Sequence, residues 1–287
     1  MKINQVEIQD TYAEAWQLEV VRLVITAVSE EIAMGGANQF VGAAGSGELG
    51  SRINAGIERV ALPQETPDGR PGVIIALTNT PAARADLLEE LSLRFHLATL
   101  IPTCAVYDFM VPGVQCDKGD IDAILKEKWS GDDWETEVNG HTMCCVPTIT
   151  GTYMFEKTVS ISTQGCDGHI VCYGKDINAT VLAVSAAKAS LAGNDGVSPM
   201  GFGLEQVYRE KDYVLALKDK IENSKVPDGV GSILNMLVFG VSQEKMAKAL
   251  GDAVKAACQV PGVVKIGAMN FGGAFGPYKF YLHEIVK

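Results

Sequence analysis

No stretch of this 287-residue chain approaches the roughly 20 uninterrupted apolar residues of a membrane-spanning helix. Positive charge is scarce as well. There are 24 Lys and Arg against 35 Asp and Glu, a net charge of -11. Phosphate backbones and anionic membrane surfaces need clustered cations, so the sequence argues against nucleic acid and membrane as main partners. Metal-site spacing is missing too. There is no CxxC, the four histidines are scattered, and the seven cysteines at 104, 116, 144, 145, 166, 172 and 258 are odd in number. That pattern speaks against a zinc site and for reduced, half-buried thiols. Residues 1–7 lack a secretory pattern, so a cytoplasmic location is expected.

What is present is a core. Hydrophobic residues make up 47% of the chain and charged residues 21%, which suits one large domain or two ordinary ones. Residues 1–12 read as a short strand and a turn, and 20–26 as a buried strand. Ser29-Glu30-Glu31 reads as an N-cap with acids in the first helical turn. Gly45-Ser46-Gly47-Glu48-Leu49-Gly50 is a formal G-x-G-x-x-G. No strand precedes it and no helix pattern follows, so a loop is expected rather than a dinucleotide site.

The sharpest local signal is Glu65-Thr66-Pro67-Asp68-Gly69-Arg70-Pro71-Gly72, which runs into Val73-Ile74-Ile75-Ala76-Leu77. Two prolines and two glycines make a stiff corner at the mouth of a buried strand. Asp68, Gly69 and Arg70 are thereby held on a rigid turn, where binding groups tend to sit. The plainer reading is a turn stitched by its own Asp68–Arg70 pair.

A helix is expected from Pro81 to His96, with Leu87, Leu88, Leu91 and Phe95 on one face. Residues 111–140 are polar and acidic, and Asn139-Gly140 marks a hairpin. β-rich runs at 141–150, 152–162 and 169–173 suggest an antiparallel arm. A helix over 179–191 and a glycine-rich loop at 198–203 follow; residues 213–223 read as a strand running into a helix or turn. Residues 233–239 read as a strand containing Asn235, and Ser242 as the cap of a helix reaching Ala257. Strands are expected at 263–268 and 278–285, with a turn at Phe271-Gly272-Gly273. Strand-helix-strand-strand is half of a ferredoxin-like unit, and the first 80 residues show a comparable order. The expected class is therefore α/β (α+β): two similar lobes, 1–145 and 146–287, joined by the antiparallel β arm, with a cleft between them.

These residues resemble a known family, the formylmethanofuran:tetrahydromethanopterin formyltransferases. The likeness starts at Asp10-Thr11-Tyr12-Ala13-Glu14-Ala15 and continues through Ile25-Thr26-Ala27 and Ala55-Gly56-Ile57-Glu58. Thr66-Pro67-Asp68-Gly69-Arg70-Pro71-Gly72 matches the family motif residue for residue. Pro102-Thr103, residues 260–266, Asn270-Phe271-Gly272-Gly273 and Leu282-His283-Glu284 extend it over nearly the whole chain.

The resemblance implies a two-lobed subunit of split β-α-β units in a homotetramer. It implies formyl transfer from methanofuran to N5 of tetrahydromethanopterin, with both molecules as carrier substrates and no metal or prosthetic group. Asp68, Gly69 and Arg70, together with Asn270, Phe271, Gly272 and Gly273, become the expected substrate-binding residues. Phe271 could stack on a flat pterin or furan ring, or serve only in packing. The family's proposed catalytic acid falls on Asn235, which can hydrogen-bond but cannot carry a proton. Asp68, Glu58, Glu205 and Asp212 remain as acids that could move one. The alternative is a non-catalytic, divergent paralogue that binds a pterin or formyl carrier, or scaffolds a formyltransferase/hydrolase complex.

Overall fold

The computed structural model describes residues 1–45, 50–121, 131–203 and 211–287. The inner residues of the glycine run at 46–49, part of the polar stretch at 122–130, and Glu205 lie outside the described residues.

The chain forms two compact units, residues 18–165 and residues 1–17 with 166–287. The division differs from the expected one at 145/146 in two ways. The opening residues belong with the C-terminal unit, and the second boundary falls inside the strand Thr158–Gly174. The physical reason is strand pairing: Val6–Ile8 lies parallel to Val263–Gly267, with Ile8 opposite Ile266. Sequence separation hides that partnership.

In the 18–165 unit the order is strand Gln17–Thr26, helix Glu30–Val41, strands Asn54–Ala61 and Gly72–Asn79, helix Arg84–Thr99 and strand Ala105–Asp108. Gln17–Thr26 lies antiparallel between Ala105–Asp108 and Gly72–Asn79, and the latter pairs outward with Asn54–Ala61. Taken in chain order, the four strands lie 4-1-3-2, a complete β-α-β-β-α-β unit. Ser29 Oγ accepts from the Ile32 N–H and so caps the first helix as expected. The second helix begins at Arg84, after a 3-10 turn at Pro81–Ala83, because proline suits the entry of a helix better than its body. Both helices pack on one face of the sheet, where Phe40, Leu91, Phe95 and Ile75 share a core. The opposite face carries Val24, Ile74, Tyr107, Met143 and Cys145. Asn139 and Gly140, with φ of 47° and 88°, turn the chain between Trp134–Val138 and His141–Thr148, and Gly151–Glu156 completes the meander.

The second unit repeats the plan. Its strands are the 166–174 part of Thr158–Gly174, then Val197–Pro199, Ser232–Gly240 and Val263–Gly267, with helices Ile177–Ser190 and Gln243–Ala257 between them. The strand order is again 4-1-3-2. Asp176 and Ser242 cap the helices by accepting from Ala179 N–H and Lys245 N–H. The helix-covered face buries Cys172, Leu234, Met236, Leu250 and Val254.

Three local expectations change. The 198–203 loop begins as a strand, because Val197–Pro199 pairs with Ser232–Gly240. Residues 213–223 contain no strand; Lys211–Tyr213 and Leu215–Leu217 are single 3-10 turns. The last strand stops at Tyr281, and Leu282–Ile285 coils into a helical turn with Leu282 buried. No described helix is long and apolar enough to cross a membrane.

Candidate functional site

The 65–72 corner forms at the end of the strand it introduces. Thr66 Oγ1 donates to the Arg70 carbonyl at 2.7 Å, closing the turn, and Gly69 sits at φ 70°, a conformation open to glycine at little cost. Arg70 Nε and Nη2 donate to Asp68 Oδ2 at 2.9 and 2.7 Å. Nη2 also reaches Thr26 Oγ1, and Nη1 donates to the Thr103 carbonyl at 2.6 Å. Thr26 Oγ1 and Tyr107 Oη donate to the same Asp68 oxygen, at 2.6 and 3.1 Å. Burial would raise the Asp68 pKa, but the Thr26 hydrogen bond and the Arg70 guanidinium hold it below the usual carboxylate range. Burial and the neighbouring Asp68 push the Tyr107 phenol up.

The pair therefore spends most of its hydrogen bonds on the protein, as the plainer reading of the turn anticipated. What it presents outward is a wall. Asp68, Arg70 and Tyr107 line a cavity of about 450 Å³ with Val28, Val138, Met154, Cys104, Ala105 and the threonines at 103, 150 and 152. A mixed apolar wall with a few fixed polar groups is the composition of a small-molecule site.

Asn235, in the other unit, lies opposite Val171 in the sheet, on the face away from the helices. It is buried, and its Oδ1 has no hydrogen-bond partner among the described residues. A buried amide oxygen without a donor is costly, so it marks a place where something else can bind.

The 270–276 loop is built around a residue that sequence reasoning missed. The Glu14 carboxylate is fully buried. Its Oε2 accepts from the N–H groups of Phe271 and Gly273, its Oε1 from those of Phe275 and Gly276, all at 2.7–2.9 Å. Burial opposes ionisation, but these four donors outweigh it and hold the pKa at about 2. Gly276 passes so close to the Ala15 backbone that a Cβ could not fit. Asn270 Nδ2 donates to Thr11 Oγ1 at 2.9 Å. The Phe271 ring meets Trp16 and Phe275 edge-on, leaving Phe271 38% and Phe275 67% exposed, so ring surface remains for a ligand. Nearby, His169 Nε2 accepts from the Met269 N–H at 2.9 Å; burial brings its pKa down to about 4 and keeps it neutral. The only sequence signal for Glu14 is its place in the 10–15 motif. An acid in a buried strand is notable, but the pattern does not reveal that a loop 260 residues later supplies its donors.

The remaining acids are committed. Glu58 forms a two-pronged ion pair with Arg22, and Asp212 pairs with Lys225. The structure thus groups the expected residues as Asp68–Gly69–Arg70 in one unit, and Asn235 and Asn270–Gly273 in the other. Among the described residues no three His, Cys, Asp or Glu side chains group as a metal site. No cysteine is in a disulfide, and burial raises the pKa of the Cys104, Cys116, Cys145, Cys166, Cys172 and Cys258 thiols, to about 11 at Cys104.

Comparison with known proteins gives a single picture. A family model described as formylmethanofuran-tetrahydromethanopterin formyltransferase matches residues 1–148, and its proximal-lobe model matches residues 206–285. The formylmethanofuran–tetrahydromethanopterin formyltransferase of Methanothermobacter thermautotrophicus is 32% identical, over 99% of this chain and 100% of its own. The corresponding protein of Archaeoglobus fulgidus is 28% identical over the same shares. The solved formylmethanofuran:tetrahydromethanopterin formyltransferase from Methanosarcina barkeri superposes with a TM-score of 0.90, at 32% identity and with 99% and 100% of the two chains covered. A chain of the Methylorubrum extorquens formyltransferase/hydrolase complex, solved with methylofuran, shares the fold at a TM-score of 0.86 and 23% identity over 100% and 99% of the chains.

Proposed function

The chain belongs to the formylmethanofuran–tetrahydromethanopterin formyltransferase family, and from that premise we propose that it moves a formyl group from formylmethanofuran to N5 of tetrahydromethanopterin. The observation that carries the reading is the end-to-end match, in sequence and in fold, to enzymes named for that reaction. Both C1 carriers act as substrates, and the transfer needs no prosthetic group from the protein.

Chemically, N5 attacks the formyl carbon and a tetrahedral oxyanion forms. The bond to the methanofuran nitrogen then breaks, N5 loses a proton, and the departing amine gains one. Such a reaction is accelerated by fixing two amines on one carbon and by hydrogen bonds to the oxyanion. Asn235 suits the second task and the orientation of an N–H: its Nδ2 can donate to the developing oxyanion, and its Oδ1 can accept from an attacking amine. It takes no proton. The 66–72 corner and the 270–273 loop are the substrate-binding elements of this reading. We place the protein in the cytoplasm as a homotetramer.

The test is a transfer assay with formylmethanofuran and tetrahydromethanopterin, wild type beside Asn235→Glu. Wild-type turnover is expected. A silent wild type with activity gained in the Glu variant would instead identify a paralogue whose site survives. Silence in both would overturn the reading.

A further inference from the structure

Thr103 has φ 75°. Left-handed backbone is costly for a β-branched residue because Cβ crowds the adjacent carbonyl, and such residues persist only where their surroundings hold them. Arg70 Nη1 holds the Thr103 carbonyl, and the Val28 N–H donates to Thr103 Oγ1 at 3.3 Å. Gly69 and Arg70 thus lie on a turn that reaches across to stabilise a second, strained turn. The Thr103 hydroxyl proton meets no acceptor among the described residues.

Thr103 also stands where two cavities meet. It lines the space of about 450 Å³ beside Asp68 and a neighbouring one of about 410 Å³. Thr150 and Thr152 line both as well, so hydroxyl-bearing residues border the junction. Val28, Val138 and Met154 supply apolar surface to the first cavity. The two Asp68 oxygens differ. Oδ2 accepts from Thr26, twice from Arg70, and from Tyr107, whereas Oδ1 accepts from the Arg70 backbone N–H at 3.2 Å. One carboxylate oxygen therefore keeps acceptor capacity at the wall of the cavity.

We propose that Thr103 is a positioning residue of a ligand subsite that takes the pterin ring of the acceptor. The choice of pterin rests on the function proposed above. The match is chemical. A pterin is flat, so its faces suit the apolar walls. Its edge carries adjacent N–H donors that Asp68 Oδ1 can accept, and a ring carbonyl to which a threonine hydroxyl can donate. The furan end of the donor has no comparable donor edge. Strain at Thr103 is the cost of holding that rim in place before the ligand arrives.

The test combines calorimetric titration of tetrahydromethanopterin, steady-state kinetics and thermal melting on wild type, Thr103→Gly and Thr103→Ser. Glycine relieves the left-handed strain and removes the hydroxyl; serine keeps the hydroxyl. The Gly variant is expected to melt higher, by about 2–4 °C. Its Kd for tetrahydromethanopterin should rise on the order of tenfold, the size of one lost hydrogen bond and some lost preorganisation. The kinetic effect should fall on the KM for tetrahydromethanopterin rather than on kcat, and the Ser variant should bind close to wild type. A Gly variant that binds the pterin like wild type, or that melts lower, would overturn the proposal. The two readings fail separately. Wild type that binds pterin through Thr103 without transferring formyl would sink the transferase and keep the subsite. Wild type that transfers while Thr103→Gly binds normally would do the reverse.

Discussion

The two units share one topology and treat buried polarity in opposite ways. In the 18–165 unit, charge is met by charge. Arg22 and Glu58 pair through two hydrogen bonds of 2.6–2.8 Å with both side chains buried, Asp68 pairs with Arg70, and Arg84 bridges Glu19 and Asp117. In the other unit, Glu14 is held by four backbone N–H groups, His169 stays neutral, and Asn235 Oδ1 has no partner among the described residues. Two copies of the same 4-1-3-2 sheet can therefore be lined with compensated ion pairs or with single groups that depend on backbone geometry. The first meets its charges with ion pairs, although Asp108 Oδ1 has no partner among the described residues. The second relies on backbone donors and a neutral imidazole, and leaves Asn235 Oδ1 open to a ligand.

Removing one partner tests the compensated side most severely. Arg22→Met leaves Glu58 charged and buried, and should cost about 3–5 kcal/mol in urea unfolding. The double variant with Glu58→Leu should recover most of that; equal loss in both would show that the pair itself carries stability. On the other side, Glu14→Gln places an amide NH₂ against two backbone donors. It should cost about 2–4 kcal/mol and loosen the 270–276 loop, read as faster amide exchange at Phe271 and Phe275.

A pH titration of stability probes the second unit further. The folded pKa of His169, about 4, lies below its ordinary value of 6.5, so the unfolded chain binds the extra proton first. Stability is full above about pH 6.5 and falls as pH drops toward 4, by up to about 3 kcal/mol. Glu14 extends the loss from about pH 4.5 toward 2. His169→Gln should flatten the first window and leave the second. The smallest expected change is a gain: Asn235→Leu removes an unsatisfied acceptor and should stabilise by about 1 kcal/mol while slowing formyl transfer. Lost stability there would mean that Asn235 is satisfied within the fold.

Much of the fold was readable because it is written in short-range signals. The caps at Ser29 and Ser242, the Asn139-Gly140 turn and the β-branched run after Gly72 each decide a local conformation within a few residues. The candidate site was legible in part. The 66–72 corner and Asn235 stand out as motif and departure. Glu14, Thr103 and the pairing of Val6–Ile8 with the C-terminal strand did not, because each depends on partners far away in the chain. The final strand is shorter than its sequence suggests for a similar reason: burial of Leu282 favours a helical turn that local β propensity does not foresee.

By itself, the sequence determined the family, through its motifs, the helices and most of the long buried strands, and the stiff corner that carries Asp68 and Arg70. The elements and the corner follow from periodicity, capping and turn chemistry over a few residues, and the family from the likeness of the motifs to a known one. Only the tertiary structure decided which residues close each unit, that one Arg70 donor holds a strained Thr103, and that Glu14 organises the loop around Phe271. Hydrogen bonds and strain between distant segments have no footprint in local pattern, and there the arrangement in space was the only source.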